Sequence, residues 1–270
     1  MPRLDQELVT RGLARSRTHA AKLISDGKVS SGGNVLVKAS HQVDATTGLD
    51  VESHLEDIYV SRAGHKLAGA LKAFPAVVVS GKRCLDAGAS TGGFTDVLLR
   101  QGAAEVVAVD VGHGQLVTHL REDPKVEVHE GLNVRYMTAE QIGGPAQLTV
   151  ADLSFISLTL VLWPLAQCTE PGGDLVLMVK PQFEVGKERL SRTGVVSSEN
   201  ERRRAVAQVA RAAVDAGLEL QDLAASPLPG QDGNVEYFLW MTRRMSSVLP
   251  KIEERDEDVA ALIRKLWPNH

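Results

Sequence analysis

Residues 83–102, RCLDAGASTGGFTDVLLRQG, join an apolar run to an amphipathic segment through a glycine-rich loop. The run RCLDAG is typical of a short buried strand, and FTDVLLR repeats apolar residues at helical spacing. The loop between them holds glycines at positions 88, 92 and 93. Because glycine lacks a side chain, such a strand–loop–helix junction lets the backbone approach a bound ligand closely. The segment therefore predicts a ligand-binding α/β unit.

Strand and helix patterns alternate after this loop. Further apolar runs rich in valine and leucine are EVVAVD (105–110), KVEVHEG (125–131), LTVADLSF (148–155) and DLVLMVKP (174–181). Two more strand patterns, LELQDLAASPL (218–228) and NVEYFLWMTRR (234–244), indicate a closing antiparallel pair. Helical stretches between the apolar runs predict βαβ units. The expected fold class is α/β, with a Rossmann-like, mostly parallel sheet of seven strands.

The distribution of charge divides the chain, although the net charge is only −4 over 270 residues. Residues 1–38 carry seven Lys or Arg against three acids, whereas residues 39–60 carry five acids and no Lys or Arg. A basic lobe before an acidic connector is typical of a separate nucleic-acid-binding module. We predict a small α+β domain with its linker at 1–58, an α/β domain at 59–244 and a charged tail at 245–270 that ends in a helix.

Cysteine content and the terminal sequence bear on the cellular compartment. Cys84 and Cys168 are the only cysteines, and two distant thiols indicate neither a disulfide framework nor a metal site. The N-terminus lacks the apolar core of a signal peptide, and no apolar run has the length of a membrane span. We expect a cytoplasmic protein, a monomer or weak oligomer, with no metal and no membrane partner.

The loop departs from the dinucleotide fingerprint, because Ser90 stands where the second glycine would be. That glycine serves close approach to a pyrophosphate, so its absence favours a cofactor without phosphate, S-adenosylmethionine. Asp110 ends the next strand, where an acid can accept both hydroxyls of a cofactor ribose. Asn133 follows the third strand and is a candidate adenine contact. The alternatives are a helix cap for Asp110 and a structural role for Asn133. The predicted cofactor-binding residues are Asp86, Gly88, Ala89, Ser90, Gly92, Gly93, Phe94, Asp110, Asn133 and Asp152.

Four ionisable residues predict a reacting centre. Asp152 ends the fourth strand and Lys180 the fifth, so both face the ligand crevice of an open α/β sheet. The predicted helix at 60–74 carries Lys66, and the NVEYF strand carries Glu236. Two lysines and two acids form a neutral cluster, which can orient a hydroxyl and relieve it of its proton. A helix cap for Asp152 and a solvated strand end for Lys180 are the alternatives.

The first 50 residues resemble an S4 RNA-binding domain. The resemblance rests on RLDQELVTRGLARSRTHAAKLISDGKVSSGGNVLVKASHQV (3–43), with two helices, the DGKV element, a turn and strands. It implies RNA binding by basic side chains, which are Arg3, Arg11, Arg15, Arg17, Lys22 and Lys28. Because aromatic residues make up 4% of the chain, shape and phosphate contacts should dominate, which favours structured RNA. The alternative is a basic face that is merely solvated.

With the S4-like segment in front, residues 3–243 resemble the TlyA family, which is also called hemolysin A. The resemblance rests on SRAGHKL (61–67), LDAGASTGGFTD (85–96), DLSFISL (152–158), VKPQFE (179–184) and GNVEYF (233–238). The order Lys66, Asp152, Lys180, Glu236 is similar to the K-D-K-E tetrad of FtsJ-like ribose 2′-O-methyltransferases. The family implies a class I methyltransferase fold, S-adenosylmethionine as cofactor and cytidine 2′-O-methylation of 16S or 23S ribosomal RNA or both. Lys180 would be the central base, and ribosomal RNA or ribosomal subunits would be the partners.

Other activities fit these residues less well. Base-amino methylation uses an Asn/Asp-Pro-Pro-aromatic element, and DLSF at 152–155 lacks both prolines. Cytosine C5 methylation needs a nucleophilic cysteine, whereas both cysteines are better explained by packing. The glycine-rich loop, with Ser90 in place of the second glycine, disfavours a nucleotide-binding oxidoreductase. A methyltransferase for small molecules would not need the basic N-terminal module. Two alternatives from other classes stay open: a pore-forming or membrane-lytic hemolysin, and a non-catalytic RNA-binding or ribosome-assembly protein.

Overall fold

The computed structural model describes residues 2–14, 17–44, 46–51, 59–186, 190–191, 193–246, 249 and 251–268. They fall into two compact units, Met1–Val60 and Ser61–His270. Residues 45 and 52–58 of the predicted acidic connector lie outside the described residues.

The N-terminal unit packs two helices on a small antiparallel sheet. Its elements are α1 (Leu4–Thr10), α2 (Arg17–Ser25), β1 (Val29–Ser31), β2 (Asn34–Val35) and β3 (Asp50–Val51). The strand order is β2-β1-β3, and β3 is a strand that the sequence patterns did not predict. Its core joins apolar residues of both helices with those of the strands and the neighbouring loop, namely Leu4, Leu8, Ala14, Ala20, Leu23, Ile24, Val29 and Val43.

The larger unit is built on a seven-stranded sheet. Its strands are β4 (Arg83–Ala87), β5 (Glu105–Asp110), β6 (Val126–Glu130), β7 (Ala146–Ala151), β8 (Thr169–Val179), β9 (Leu218–Ala225) and β10 (Tyr237–Arg243). They lie in the order β6-β5-β4-β7-β8-β10-β9. The first five are parallel, and β10 runs antiparallel between β8 and β9. The predicted fold class, a mostly parallel α/β sheet with a small N-terminal α+β unit, is confirmed.

Helices cover both faces of this sheet. They are α3 (Arg62–Ala73), α4 (Gly93–Arg100), α5 (Thr118–Arg121), α6 (Leu162–Gln167), α7 (Pro181–Glu184), α8 (Glu199–Asp215) and α9 (Ile252–Leu266), with short 3-10 turns at Val134–Tyr136, Glu140–Ile142 and Leu158–Leu160. The charged C-terminal segment contributes α9, whose Val259 and Leu262 are buried in the main core. Within the described ranges, no helix combines the length and the apolar character needed to span a bilayer.

The topology brings distant residues to one edge of the sheet. The parallel strands β4, β5, β7 and β8 all end there, so the segments that continue from them are neighbours. Because β10 is antiparallel, it begins where β8 ends, and Tyr237 pairs with Val179. Lys180 and Glu236 lie just outside β8 and β10, so the prediction that Glu236 is inside a strand is wrong by one residue. Because β10 lies antiparallel between β8 and β9, Lys180 and Glu236 are placed side by side.

Candidate active site

The glycine-rich loop between β4 and α4 is held by the acid that ends β5. Asp110 Oδ2 accepts a hydrogen bond from the Ser90 backbone N–H at 2.8 Å, and its Oδ1 accepts one from the Gly112 N–H at 2.7 Å. Ser90 adopts a left-handed conformation with φ 46°, which is uncommon for a residue with a side chain and clusters at functional sites. Asp110 thus fixes this loop and does not cap a helix.

Three cavities meet along this edge of the sheet. The glycine-loop cavity, about 200 Å³, is lined by Ser61, Ala63, Gly88, Ala89, Ser90, Thr91, Gly93, Phe94, Asp152, Ser154 and Lys180. The Asp110 cavity, about 500 Å³, adds Asp110, Gln115, Leu132, Asn133, Val134, Phe155 and Ile156. The lysine cavity, about 800 Å³, includes Lys66, Ser154, Phe155, Lys180, Gln182, Phe183, Asn234 and Glu236. Ser154 lines all three, so the cavities converge just after β7.

Eight of the ten predicted cofactor residues line the first two cavities, and the exceptions are Asp86 and Gly92. Gly92 has φ +98°, and a Cβ there would lie 2.4 Å from Leu120 Cδ1. Its requirement for glycine therefore comes from backbone conformation and packing against α5. Asn133 lines the Asp110 cavity, and its Oδ1 also accepts the Arg135 backbone N–H at 3.0 Å, which is a structural role; its contact with adenine stays a prediction.

Asp86 is fully buried beneath the loop. Its Oδ2 accepts a hydrogen bond from Thr95 Oγ1 at 2.7 Å, whereas its Oδ1 is buried without a hydrogen-bond partner. Burial, with smaller contributions from the negative charges of Asp152 and Asp110, raises the pKa of Asp86 from 3.8 to about 7. A buried acceptor without a partner is costly. Asp86 therefore lies beneath the loop near Asp110 and Asp152, but it lines neither of the first two cavities.

Lys180 lies at the junction of the glycine-loop and lysine cavities. Its Nζ donates to Ser154 Oγ at 2.9 Å and lies 2.6 Å from Asp152 Oδ1, an ion pair outside hydrogen-bond angles. The side chains of Lys180 and Asp152 are only 10% and 17% exposed. A single amine is thus held between a carboxylate and a hydroxyl. Asp152 does not cap a helix, and Lys180 is not a solvated strand end.

Lys66 and Glu236 form a second buried pair in the lysine cavity. Lys66 Nζ donates to Glu236 Oε2 at 2.6 Å, and their side chains are 10% and 3% exposed. Gln182 Nε2 donates to Glu236 Oε1 at 3.3 Å, which links this pair to α7. The structure therefore brings all four residues of the predicted tetrad to one cavity system, as two lysine–carboxylate pairs.

Phe155 is a residue of this site that the sequence patterns did not single out. The sequence predicts that the fourth strand ends at Asp152, and β7 ends one residue earlier, at Ala151, so Phe155 lies in the segment that follows the strand. Phe155 adopts a left-handed conformation with φ 63° and is 91% exposed. Its ring centroid lies 5.4 Å from that of Phe183, at the rim of the lysine cavity. No local signal marks this exposure, because a phenylalanine after an apolar run normally indicates burial.

Comparison with known proteins agrees with this geometry. Residues 59–243 match the family model of FtsJ-like methyltransferases, and residues 2–48 match that of the S4 domain. The chain is 55% identical over 247 residues to the 16S/23S rRNA (cytidine-2′-O)-methyltransferase TlyA of Mycobacterium tuberculosis, covering 92% of each chain. The chain belongs to the TlyA family of FtsJ-like methyltransferases.

Two further relatives show the breadth of the TlyA family. The 23S rRNA (cytidine-2′-O)-methyltransferase TlyA of Campylobacter jejuni is 36% identical over 196 residues, which are 72% of this chain and 75% of that protein. A solved structure from Streptococcus thermophilus, described as a candidate hemolysin, is 35% identical with a TM-score of 0.70. It covers 99% of this chain and 98% of that one. The hemolysin name is thus a label carried within the same family.

In this TlyA-family protein, the predicted RNA-binding residues of the S4 unit differ in their availability. Arg3 and Arg17 remain substantially exposed while both pair with the buried carboxylate of Asp5, at 2.9 and 3.0 Å. Arg11 pairs with Glu7 and also donates to the backbone oxygens of Thr47 and Asp44. Arg11 therefore ties α1 to the loop before β3, a structural role that the charge pattern did not predict.

The remaining basic residues lie on α2 and beside β1. Lys22 is exposed on α2, and Lys28 is half-buried just before β1. Arg15 lies outside the described residues. Arg3, Arg17 and Lys22 are thus the more accessible candidates for contacting RNA.

The buried carboxyl of Asp86 predicts a pH-dependent stability. Between about pH 4 and pH 7 the folded protein keeps a proton that the unfolded chain releases, because the pKa of Asp86 is raised to about 7. The free energy of unfolding therefore falls as pH rises through this window. Asp86→Asn lacks this titration and can still accept the Thr95 hydrogen bond. The free energy of unfolding of Asp86→Asn minus that of the wild type should therefore increase by roughly 2–3 kcal/mol between pH 5 and pH 8, as measured by urea titration. A difference in the free energy of unfolding that is the same at both pH values would contradict the prediction.

Proposed function

We propose that the protein transfers a methyl group from S-adenosylmethionine to the 2′-hydroxyl of a cytidine ribose in ribosomal RNA. The observation that carries the proposal is the convergence of two buried lysine–carboxylate pairs, Lys180–Asp152 and Lys66–Glu236, on the cavities beside the glycine-rich loop. We further infer a division of labour between an RNA-binding domain with its linker at 1–58, a methyltransferase domain at 59–244 and a C-terminal tail at 245–270. The choice of cytidine and of ribosomal RNA rests on the names of the relatives.

The donor set of the site fits S-adenosylmethionine. Asp110 lies at the end of β5, where its carboxylate can accept the ribose hydroxyls, and apolar side chains such as Leu132 and Ile156 offer walls for adenine. The carboxylates of Asp110 and Asp152, which line these cavities, suit a cofactor that carries cationic groups. The cavity of about 500 Å³ lies within the range of small-molecule sites. When bound, this cofactor supplies an electrophilic methyl group.

The residues of the chain then orient the ribose hydroxyl and manage its proton. Lys180 Nζ, held by Asp152 and Ser154, can contact the hydroxyl oxygen where the glycine-loop and lysine cavities meet. As that oxygen acquires the methyl group, the Lys180 ammonium gives one proton to Asp152 and takes the hydroxyl proton in its place, so the pair ends with Lys180 protonated and Asp152 neutral. Lys66 and Glu236 keep a fixed charge pair in the same cavity. Fixed charges in a buried site can stabilise charge as it develops without reorganisation.

The exposed ring of Phe155 suits the nucleobase that carries this ribose. It lies at the rim of the lysine cavity with Phe183 beside it. Aromatic side chains stack on unpaired bases in RNA recognition. Phe155 would therefore receive the base while its ribose lies near Lys180.

Methyl transfer from labelled cofactor to separated ribosomal subunits tests the proposal. We expect incorporation into subunit RNA by the wild-type protein. Alkali resistance of the labelled dinucleotide would place the methyl group on the ribose, because 2′-O-methylation removes the hydroxyl that alkaline cleavage requires. Label on a base, or no incorporation into either subunit, would refute the proposed reaction. Lysis of cells by the purified, lipid-free protein would favour the hemolysin alternative instead.

Arg17→Gln is expected to weaken RNA binding while the affinity for S-adenosylmethionine stays unchanged. Arg17 is 59% exposed in the S4 unit, and loss of one phosphate contact should reduce the slope of log affinity against log salt by about 1. Fluorescence anisotropy across a salt series measures that slope. Lys265→Gln on α9 removes one charge from the other unit and serves as the control. Equal loss of RNA and cofactor binding in Arg17→Gln would contradict the division of labour.

A further inference from the structure

Glu184 is a buried carboxylate that the proposed reaction does not use. It ends α7, four residues after Lys180, and is 8% exposed. One of its oxygens accepts a hydrogen bond from Ser157 Oγ at 2.5 Å, and the other accepts the Leu158 backbone N–H at 2.8 Å. Both partners lie in the segment after β7. Glu184 therefore joins two segments separated by more than twenty residues of sequence.

The two joined segments carry both sides of the reacting centre. The segment after β7 supplies Asp152, Ser154 and Phe155, and the segment after β8 supplies Lys180 and Phe183. The contacts across the gap are Lys180 with Asp152 and Ser154, and the ring contact of Phe155 with Phe183. In both segments the residues that make these contacts precede, along the chain, the residues that Glu184 joins. Any slippage of one segment past the other would change the position of the amine.

The conformation of Phe155 also depends on the residues directly after it in the chain. A left-handed residue with a bulky side chain costs about 1–3 kcal/mol and persists only where its surroundings hold it. Phe155 has φ 63° and is 91% exposed, so its own side chain gains little from packing. Ser157 and Leu158, two and three residues later, are the positions that Glu184 fixes. Ser157 in turn caps the next 3-10 turn through Thr159.

We propose that Glu184 is a positioning residue for methyl transfer, which holds Ser154 and Phe155 in register with Lys180 by fixing Ser157 and Leu158. The inference rests on the proposed function, because it assigns Glu184 to the geometry of that same centre. The essential property of the Glu184 side chain is then its two hydrogen bonds, and its charge has no role. Glutamine can reproduce both bonds, since its amide oxygen can accept from Leu158 and its NH₂ can donate to Ser157 Oγ.

The test compares Glu184→Ala with Glu184→Gln in the full-length protein. Misplacement of reacting groups by about 1 Å can cost up to 10²-fold in rate, so we expect Glu184→Ala to lower kcat by about 10- to 100-fold. KM for ribosomal subunits and the Kd for S-adenosylmethionine should stay within about twofold of wild type. Glu184→Gln should keep most of the wild-type kcat. Glu254→Ala, which removes a carboxylate that accepts the Lys251 N–H on α9, is the matched control and should leave kcat unchanged.

Amide hydrogen exchange gives a readout that does not require activity. The Leu158 amide should lose protection in Glu184→Ala and keep it in Glu184→Gln. If the wild-type protein transfers no methyl group, the proposed function fails while the exchange result still reports on this contact. Should Glu184→Ala not fold, Ser157→Ala removes one of the two bonds and should lower kcat several-fold with unchanged KM.

Three outcomes would overturn the proposal. A wild-type kcat in Glu184→Ala would show that the contact does not position the centre. A Glu184→Gln enzyme as slow as Glu184→Ala would assign the effect to charge. A raised KM at unchanged kcat would assign Glu184 to RNA binding.

Discussion

Lys180→Met should lower the rate of methyl transfer by about 10²–10⁴-fold, the range expected for loss of a positioned proton-transfer group. The amine of Lys180 contacts both Asp152 and Ser154 where the glycine-loop and lysine cavities meet. Methionine keeps an apolar stem of similar length and lacks the amine. Cofactor affinity should change less than the rate, because Asp110 and Asn133 line a cavity to which Lys180 does not contribute. Single-turnover transfer to ribosomal subunits measures the rate, and calorimetry measures the affinity.

The matched control for this variant is Lys82→Met. Lys82 Nζ lies 2.9 Å from Asp174 Oδ2, and this pair is also largely buried. It lies at the opposite edge of the same sheet, just before β4, so its loss removes a comparable ion pair far from the candidate centre. Lys82→Met should transfer methyl groups at nearly the wild-type rate. A Lys180→Met enzyme as fast as Lys82→Met would exclude Lys180 from the reaction.

Glu236→Ala should destabilise the protein by about 3–5 kcal/mol, because it leaves the Lys66 ammonium buried without its carboxylate. The pair is almost completely buried and its separation is 2.6 Å. Gln182 would lose its acceptor on Glu236 as well. Urea denaturation followed by circular dichroism gives the change in the free energy of unfolding. A decrease of less than about 1 kcal/mol in the free energy of unfolding would indicate that water reaches the Lys66–Glu236 pair, as it does at surface ion pairs.

The double variant Lys66→Met with Glu236→Leu separates stability from activity. Replacing a buried ion pair by apolar residues of similar size is often neutral or stabilising by about 1–4 kcal/mol. We therefore expect the double variant to regain the stability lost in Glu236→Ala without regaining methyl transfer. Recovery of both properties would mean that the Lys66–Glu236 pair serves only the fold.

Local patterns were sufficient to predict most of the architecture. Alternating apolar runs and helical spacing predicted the seven strands and the glycine-rich junction, because these periodicities report burial directly. They also placed Asp110, Asp152 and Lys180 at strand ends. The four-residue tetrad required the family resemblance in addition, since Lys66 and Glu236 lie 170 residues apart. No periodicity relates two positions at that separation.

The sequence alone thus determined the strands, the loop and the residue types of the site, since each depends on neighbours along the chain. Tertiary structure decided which residues meet. The antiparallel insertion of β10 beside β8 sets Glu236 near Lys180, and Glu184 reaches across to Ser157. Asp86 is fully buried and lines neither of the first two cavities. Strand order, register and the left-handed backbone at Phe155 depend on contacts between segments far apart in sequence, and those contacts form only in the folded sheet.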